Sequence, residues 1–214
     1  MDLVHADPFF MFVTKRVLAH QSRLQTFNNF LLNKFLSSHV PDEVEDFIFT
    51  TRESEDMLKN IDSAIVIHVH EGNLLRVKIL SSLGRKTATI ARKAGALEYR
   101  LKQYNIDSFT SISIANDLKS MFAMKKLLKD GYIVTCAVDT RTGGKFRNIS
   151  KGIMEFACKH DVPVIFSKMV ANDDGTVRID FSKPTVGMSG DRCAAEFIRF
   201  LAGYDPRYRE FGIA

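Results

Sequence analysis

Two histidines, His68 and His70, close an apolar run that begins at Ala64 and reads Ala-Ile-Val-Ile-His-Val-His. Such a run is typical of a buried β-strand, and the Gly72-Asn73 pair that follows indicates a tight turn into a helix. In open α/β sheets, ligands bind outside the carboxyl ends of the strands. A histidine there can take a proton from a hydroxyl, and the backbone N–H groups of the helix start can bind a developing oxyanion. We therefore expect the chemistry of this chain near His70.

The two histidines also allow a different kind of site. Because they are two residues apart on one strand, their side chains are expected on the same face of the sheet. A His-x-His pair at a strand end occurs in metal-dependent hydrolases, and Glu71 or Asp139 would then complete the ligand set. No further histidine motif follows in the sequence, so we expect no metal and keep the hydrolase as an alternative.

Other polar residues are expected at the same edge of the sheet. Asp139 ends a predicted strand, so its carboxylate could reach His70 or a substrate, although a residue that only caps the following loop is the plain alternative. Three basic side chains follow predicted strands and suit an anionic head group: Arg92, Arg141 and Lys145. The last two lie in a predicted polar loop, Thr140–Asn148, which could equally be an ordinary solvated loop.

The elements that position these residues alternate from Asp62 onward. Strands are predicted at 64–69, 87–91, 109–114, 132–138, 163–168 and 177–181, and helices at 73–83, 94–104, 117–129, 150–159 and 190–201. The alternation predicts an α/β fold, with a mainly parallel sheet that has helices on both faces. The last two strands are predicted to form an antiparallel hairpin. We expect a single domain over 1–214, with a helical N-terminal segment at 1–60 and an α/β core at 61–214.

Composition limits the partners of the chain. The 214 residues carry a net charge of +5, which suits a phosphate-bearing substrate, an anionic membrane surface or an acidic carrier protein. The basic residues are spread out and no nucleic-acid motif occurs, so nucleic acid is not an expected partner. Three widely spaced cysteines predict a reducing compartment: Cys136, Cys158 and Cys193. With no signal peptide and no apolar run as long as a membrane span, we expect a cytoplasmic protein, with peripheral contact to the inner membrane face.

The order and spacing of these segments resemble the bacterial lipid A biosynthesis acyltransferases, within the lysophospholipid acyltransferase superfamily. The resemblance runs from about Leu58 to Asp180 and depends on the sequence of blocks more than on any single block. The matching blocks are Ile65–Asn73 with its His-x-His-Glu-Gly-Asn end, Arg92, Lys126–Asp139, Ser150–Ala157, Pro163–Phe166 and Asp174–Ile179.

The resemblance implies an activity and a set of roles. His70 would be the general base that takes a proton from a hydroxyl or amine of a glycolipid or other small acceptor, which then attacks an acyl thioester. An acyl carrier protein or coenzyme A would carry the acyl chain, and neither a metal nor another cofactor is implied. Gly72, Asn73 and Arg92 match the Gly-Asn pair and the arginine of the family and would contact substrate. Arg141 and Lys145 are expected to do so as well, because their basic loop suits phosphate groups. His68 would then either pack within the strand or support the residues that contact substrate.

One departure from the family pattern bears on the activity. The family has a carboxylate after the histidine with four residues between them, where it orients the imidazole and stabilises its charged form. This sequence has Leu75 at that position. Glu71 or Asp139 would have to replace the missing acid, and Asp139 can do so only if the predicted strands 64–69 and 132–138 are neighbours. The second hypothesis is therefore a catalytically inactive relative that binds lipid or a protein partner.

Overall fold

The structure, a computed structural model, describes residues 48–69, 73–91, 109–113, 118–142, 145–171 and 177–214. The strands in these ranges are β1 (Ile48–Phe49), β2 (Ala64–His68), β3 (Thr87–Ala91), β4 (Phe109–Ser113), β5 (Ile133–Ala137), β6 (Asp139–Thr142), β7 (Lys145–Ile149), β8 (Val164–Ala171), β9 (Val177–Phe181) and β10 (Gly212–Ile213). The helices are α1 (Arg52–Asn60), α2 (Asn73–Ser82), α3 (Leu118–Lys129), α4 (Gly152–Lys159) and α5 (Gly190–Ala202), followed by a 3₁₀ helix at Pro206–Glu210. The predicted α/β class is confirmed.

The described strands form a seven-stranded sheet in the order β1-β9-β8-β2-β5-β3-β4. Every neighbouring pair in it is parallel except β8 and β9, which form the predicted antiparallel hairpin. All five residues of β2 are buried, because the strand lies in the interior of the sheet between β8 and β5. The mainly parallel sheet that the sequence predicted is therefore present, and β2 is close to its centre.

Alternate residues of β2 face two separate apolar clusters. Ile65 and Ile67 pack in a cluster with side chains from α3, α4 and α5, among them Met124, Met154 and Phe197. Ala64 and Val66 pack instead with Leu58 of α1 and Leu80 of α2. Helices thus cover both faces of the sheet, as predicted, and the period-two alternation of β2 assigns each side chain to its layer.

Local signals explain where several helices begin and end. The hydroxyls of Thr51 and Ser189 accept hydrogen bonds from backbone N–H groups three residues on, which caps α1 and α5. Gly84 and Gly131 follow α2 and α3 with φ of 74° and 79°, left-handed values that glycine adopts at little cost. The predicted ends of these two helices are confirmed.

A second, three-stranded sheet occupies the segment that the sequence indicated was a polar loop. β6 pairs antiparallel with β7, with an irregularity between Thr140 and Arg141, and β10 adds to β7 in parallel. The prediction of a loop over 140–148 was therefore wrong. Backbone pairing holds these strands together, so their polar composition did not reveal them.

Two further expectations need correction. Ser150 does not cap the following helix: its N–H donates to the Val138 carbonyl at 2.8 Å, and α4 begins at Gly152 after Lys151, with no side-chain cap. In the N-terminal segment that was expected to be helical, Ile48 and Phe49 form a strand because they pair with β9. Residues 1–47 and the predicted helix at 94–104 lie outside the described residues.

All three cysteines are free thiols, with Cys136 and Cys193 buried and Cys158 half-buried. The helices within the described ranges are all too short or too polar to cross a bilayer.

Candidate functional site

The candidate site begins where β2 and β5 end side by side. The two strands pair in parallel, with His68 opposite Ala137, and the Val138 N–H donates to the His68 carbonyl at 2.9 Å. The predicted strands 64–69 and 132–138 are therefore neighbours. This adjacency was the requirement for Asp139 to act together with His70. The register brings the chain after Ala137 to the same edge of the sheet as the chain after His68.

Asp139 occupies a buried position at the junction of the two sheets. It is 2% exposed, and it is the first residue of β6, where it pairs with Ile149. The sequence indicated that it would end a strand. Instead the chain leaves the large sheet at Val138 and enters the small one at Asp139. Burial, together with the negative charge of Asp139, raises the pKa of the nearby Cys136 thiol to about 12.

His68 is fixed inside the sheet. Its side chain is fully buried, and Nδ1 lies 2.7 Å from the Val69 carbonyl oxygen. A carbonyl can only accept, so Nδ1 carries the proton and donates this bond. These are the features of a packing residue. Within the described ranges, no three His, Cys, Asp or Glu side chains are grouped so that they could hold a metal ion.

A buried arginine that was not among the predicted site residues lies on the α2 side of this region. Arg76 is fully buried, and its Nε–H donates to Oγ of Ser167 on β8 at 2.9 Å. A signal for it was present, because Arg76 is four residues from Leu80, which is also fully buried. Residues at that spacing share a helix face, so the apolar pattern of α2 already placed Arg76 on the buried side.

Further polar side chains are buried in the same region of the sheet. The hydroxyls of Thr89 on β3 and Thr135 on β5 are hydrogen-bonded to each other across neighbouring strands. The buried polar and charged residues of these strands and of α2 are His68, Arg76, Thr87, Thr89, Thr135, Asp139, Ser167 and Lys168. A parallel sheet interior is ordinarily apolar, so this concentration of polar groups separates the region from the rest of the core.

The structure places only some of the predicted site residues. His70, Glu71, Gly72 and Arg92 lie outside the described residues. Asn73 is the first residue of α2, and Arg141 and Lys145 belong to the β6–β7 hairpin that Asp139 begins. Asp139, Arg141 and Lys145 are therefore brought onto one hairpin, which the sequence did not predict.

Leu75 fills the position at which the resembled family has its carboxylate. It is 2% exposed on α2. A carboxylate at this position would be buried, so it would need a positively charged or hydrogen-bonding partner to be tolerated. Leu75 lies on the side of α2 that faces the interior, so the position at which the resembled family has an acid is apolar and buried in this chain.

Comparison with known proteins identifies the fold. No family model and no curated protein matches the chain. The structure is similar to the crystal structure of the 1-acyl-sn-glycerophosphate acyltransferase PlsC from Thermotoga maritima, with a TM-score of 0.50. The match covers 93% of this chain and 95% of that one, at 14% sequence identity. The two proteins therefore share a fold. The superfamily and the closer assignment to the lipid A enzymes remain predictions from the sequence.

Proposed function

We propose that this protein transfers an acyl chain from a thioester to a hydroxyl or amine of a lipid acceptor, with His70 as the general base. The observation that supports this best is the parallel pairing of β2 with β5, in the register His68 to Ala137, in a chain with an acyltransferase fold. His70 follows His68 by two residues, and Asp139 follows Ala137 by two residues. Because His70 and Asp139 are each two residues beyond this pair of opposite residues, Asp139 is favoured as the carboxylate that Leu75 does not supply.

Each step of the proposed reaction has a defined proton route. One ring nitrogen of His70 takes the proton of the acceptor hydroxyl, and the oxygen attacks the thioester carbonyl carbon. The other ring nitrogen donates its hydrogen to Asp139, whose charge stabilises the imidazolium that forms. Backbone N–H groups of Gly72 and Asn73 stabilise the oxyanion. The carbon–sulfur bond then breaks, and the leaving thiolate takes the proton from His70.

Basic residues provide the proposed contacts to substrate phosphates. Arg141 and Lys145 belong to the hairpin that Asp139 begins, and Arg92 follows β3 in the sequence. The two proposed donors, coenzyme A and acyl carrier protein, both carry phosphate at the far end of the pantetheine arm from the thiol, and a lipid acceptor with an anionic head group adds another. Guanidinium groups bind phosphate oxygens in pairs, so Arg92 and Arg141 suit this role. We place the reaction at the cytoplasmic face of a membrane.

Thiol release measures the proposed activity directly. Purified full-length protein is given acyl-coenzyme A or acyl carrier protein thioesters, with lysophospholipid or glycolipid acceptors, and the product lipid is identified by mass spectrometry. His70→Gln is expected to lose about 100- to 10,000-fold in turnover, which is the usual contribution of a general base. His160→Gln is the matched control, because His160 lies at the end of α4, where its ring packs at a tilted angle against Phe156. Equal turnover in both variants would remove His70 from the mechanism.

A catalytically inactive binding protein is the second candidate, and the buried Leu75 favours it. It predicts that no donor and acceptor pair is turned over, while lipid or a protein partner copurifies in stoichiometric amounts. The metal-dependent hydrolase with His68, His70 and Asp139 predicts stoichiometric metal by elemental analysis. The Nδ1 of His68 already donates to the Val69 carbonyl, so only its Nε2 would serve as a ligand. The three candidates therefore differ in turnover, bound lipid and bound metal.

A further inference from the structure

Helix α3 has one exposed face that combines large apolar side chains with lysines. Phe122 is 69% exposed and Met121 is 46% exposed, whereas Met124 and Leu128 of the same helix are buried in the core. Lys125, Lys126 and Lys129 are exposed three, four and seven residues after Phe122. That spacing places the lysines and Phe122 on one face. We call Met121, Phe122 and these three lysines the α3 face.

The positive charge of the α3 face is not balanced by acids within the helix, and the exposed Asp130 follows directly after Lys129. The sequence of α3 contains no aspartate or glutamate. Within the described part of the chain, none of its three exposed lysines is in an ion pair, whereas Lys59, Lys151 and Lys183 each contact a carboxylate. The lysines of the α3 face are therefore not paired with any described carboxylate, and its large apolar side chains are not covered by any described residue.

The direction of α3 relates this face to the candidate site. After the helix ends at Lys129, the chain turns at Gly131 into β5, and the Tyr132 N–H donates back to the Leu127 carbonyl. The last turn of α3 is therefore at the amino edge of the sheet, and its first turn points toward the carboxyl edge. With a rise of about 1.5 Å per residue, Phe122 lies about 10 Å closer to the carboxyl edge than Lys129 does. The apolar end of the face is on the side of Asp139.

We propose that the α3 face binds the surface of an anionic lipid bilayer. Phe122 and Met121 enter the boundary between head groups and acyl chains, and the lysines lie at the level of the phosphates, with their apolar stems along the helix. The face is about 12 Å long and one helix wide, far smaller than the roughly 800 Å² per partner of a stable protein interface. A fluid lipid surface needs no matching shape, so it suits such a narrow stripe better than a folded protein does.

Vesicle binding tests this surface without any turnover, so it is independent of the proposed acyl transfer. We expect the protein to sediment with equimolar phosphatidylcholine and phosphatidylglycerol vesicles and only weakly with phosphatidylcholine alone. The triple variant Lys125→Gln, Lys126→Gln and Lys129→Gln should bind the anionic vesicles about 100-fold more weakly, since each lysine near a membrane contributes about fivefold. Phe122→Ser should also weaken binding, with circular dichroism showing that each variant is folded.

The matched control has the same change in charge at other exposed lysines. Lys59→Gln, Lys159→Gln and Lys183→Gln together remove three charges outside α3, and this variant should bind the vesicles within about threefold of the unmodified protein because distant charges are screened. An equal loss in the control triple would show that net charge alone drives binding and would overturn the proposal. So would an absence of vesicle binding combined with binding of purified acyl carrier protein at these lysines, which would make the face a protein interface.

Discussion

The Nε–H of Arg76 donates to Oγ of Ser167 at 2.9 Å, between two fully buried residues that are 91 positions apart in the sequence. The bond joins α2, which begins three residues after His70, to β8, the neighbour of β2 in the sheet. A buried guanidinium is costly unless its hydrogen bonds are made, so this contact fixes the position of α2 relative to the sheet. The start of α2 is also where the proposed oxyanion contacts lie.

Removing this acceptor should lower stability. Ser167→Ala leaves the Arg76 Nε–H without its hydroxyl partner inside the protein, which should reduce the free energy of unfolding by about 1–3 kcal/mol. Urea denaturation measures the change. Ser81→Ala on the same helix is the control and should change it by less than about 0.5 kcal/mol, since Ser81 is only half-buried. If the two variants are equally stable, Ser167 does not anchor the helix.

Replacing the proposed orienting carboxylate should change the pH profile of the proposed acyl transfer. A carboxylate next to an imidazole raises the imidazole pKa, so Asp139→Asn should move the acid limb of kcat/KM to lower pH. Because the ring is also less well oriented, kcat should fall about 100-fold. Turnover measured across the acid range separates the two effects. Asp130→Asn, in the exposed turn after α3, should leave the profile unchanged.

A shift in the Asp139→Asn profile would not follow from a loss of folding alone, because unfolded molecules lower kcat at every pH. A variant with reduced kcat and an unmoved acid limb would assign Asp139 a purely structural role. In that case Glu71, the other residue predicted to replace the missing acid, is the next one to substitute.

Restoring an acid at Leu75 should separate activity from stability. Leu75→Glu puts a carboxylate where a 2% exposed apolar side chain now packs, so its melting temperature should fall. If His70 is the base, turnover per folded molecule should be preserved or raised, because the new charge stabilises the imidazolium. The glutamine of Leu75→Gln has nearly the same shape as glutamate but no charge, so this variant should lose stability without any gain in turnover. Identical turnover per folded molecule in the two variants would show that charge at this position has no effect on the base.

The three thiols should differ in reactivity. Burial raises the pKa of the Cys136 thiol to about 12 and that of Cys193 to about 11, so little thiolate forms at either residue at neutral pH. Alkylation of the native protein should label half-buried Cys158 first, and all three thiols should react after unfolding. Peptide mass spectrometry assigns the labels. Rapid native labelling of Cys193 would contradict its position on the buried side of α5.

The central part of the fold was predictable because local and long-range requirements agree there. β3 has the predicted bounds, Thr87–Ala91, and α5 begins at the predicted Gly190. In both cases an apolar pattern of the right period is bounded by a clear stop or cap. The sequence could not show whether β2 and β5 are adjacent, which the use of Asp139 requires. The order of strands in the sheet shows that they are.

The remaining features depend on contacts that sequence pattern does not encode. The β6–β7 hairpin is polar, and its pairing with β10 joins segments more than sixty residues apart. The pattern of α2 places Arg76 on the buried side, but nothing near it in the sequence indicates that a serine on β8 accepts its hydrogen bond. Sequence patterns thus predicted the layers of the fold, while the polar residues of the site follow from its tertiary arrangement.

The backbone of Val138 is hydrogen-bonded to both sheets. Its N–H donates to the His68 carbonyl on β2, and its carbonyl accepts from the Ser150 N–H at the end of β7. The hairpin from Asp139 to Ile149 can therefore swing away from the large sheet only after one of these two bonds opens. Amide exchange at Val138 and Ser150 consequently reports on two different motions, detachment of the hairpin from β2 and parting of its own base. In the proposed acyl transfer, this attachment would hold the backbone next to Asp139 in place, so little reorganisation of the protein would accompany proton transfer.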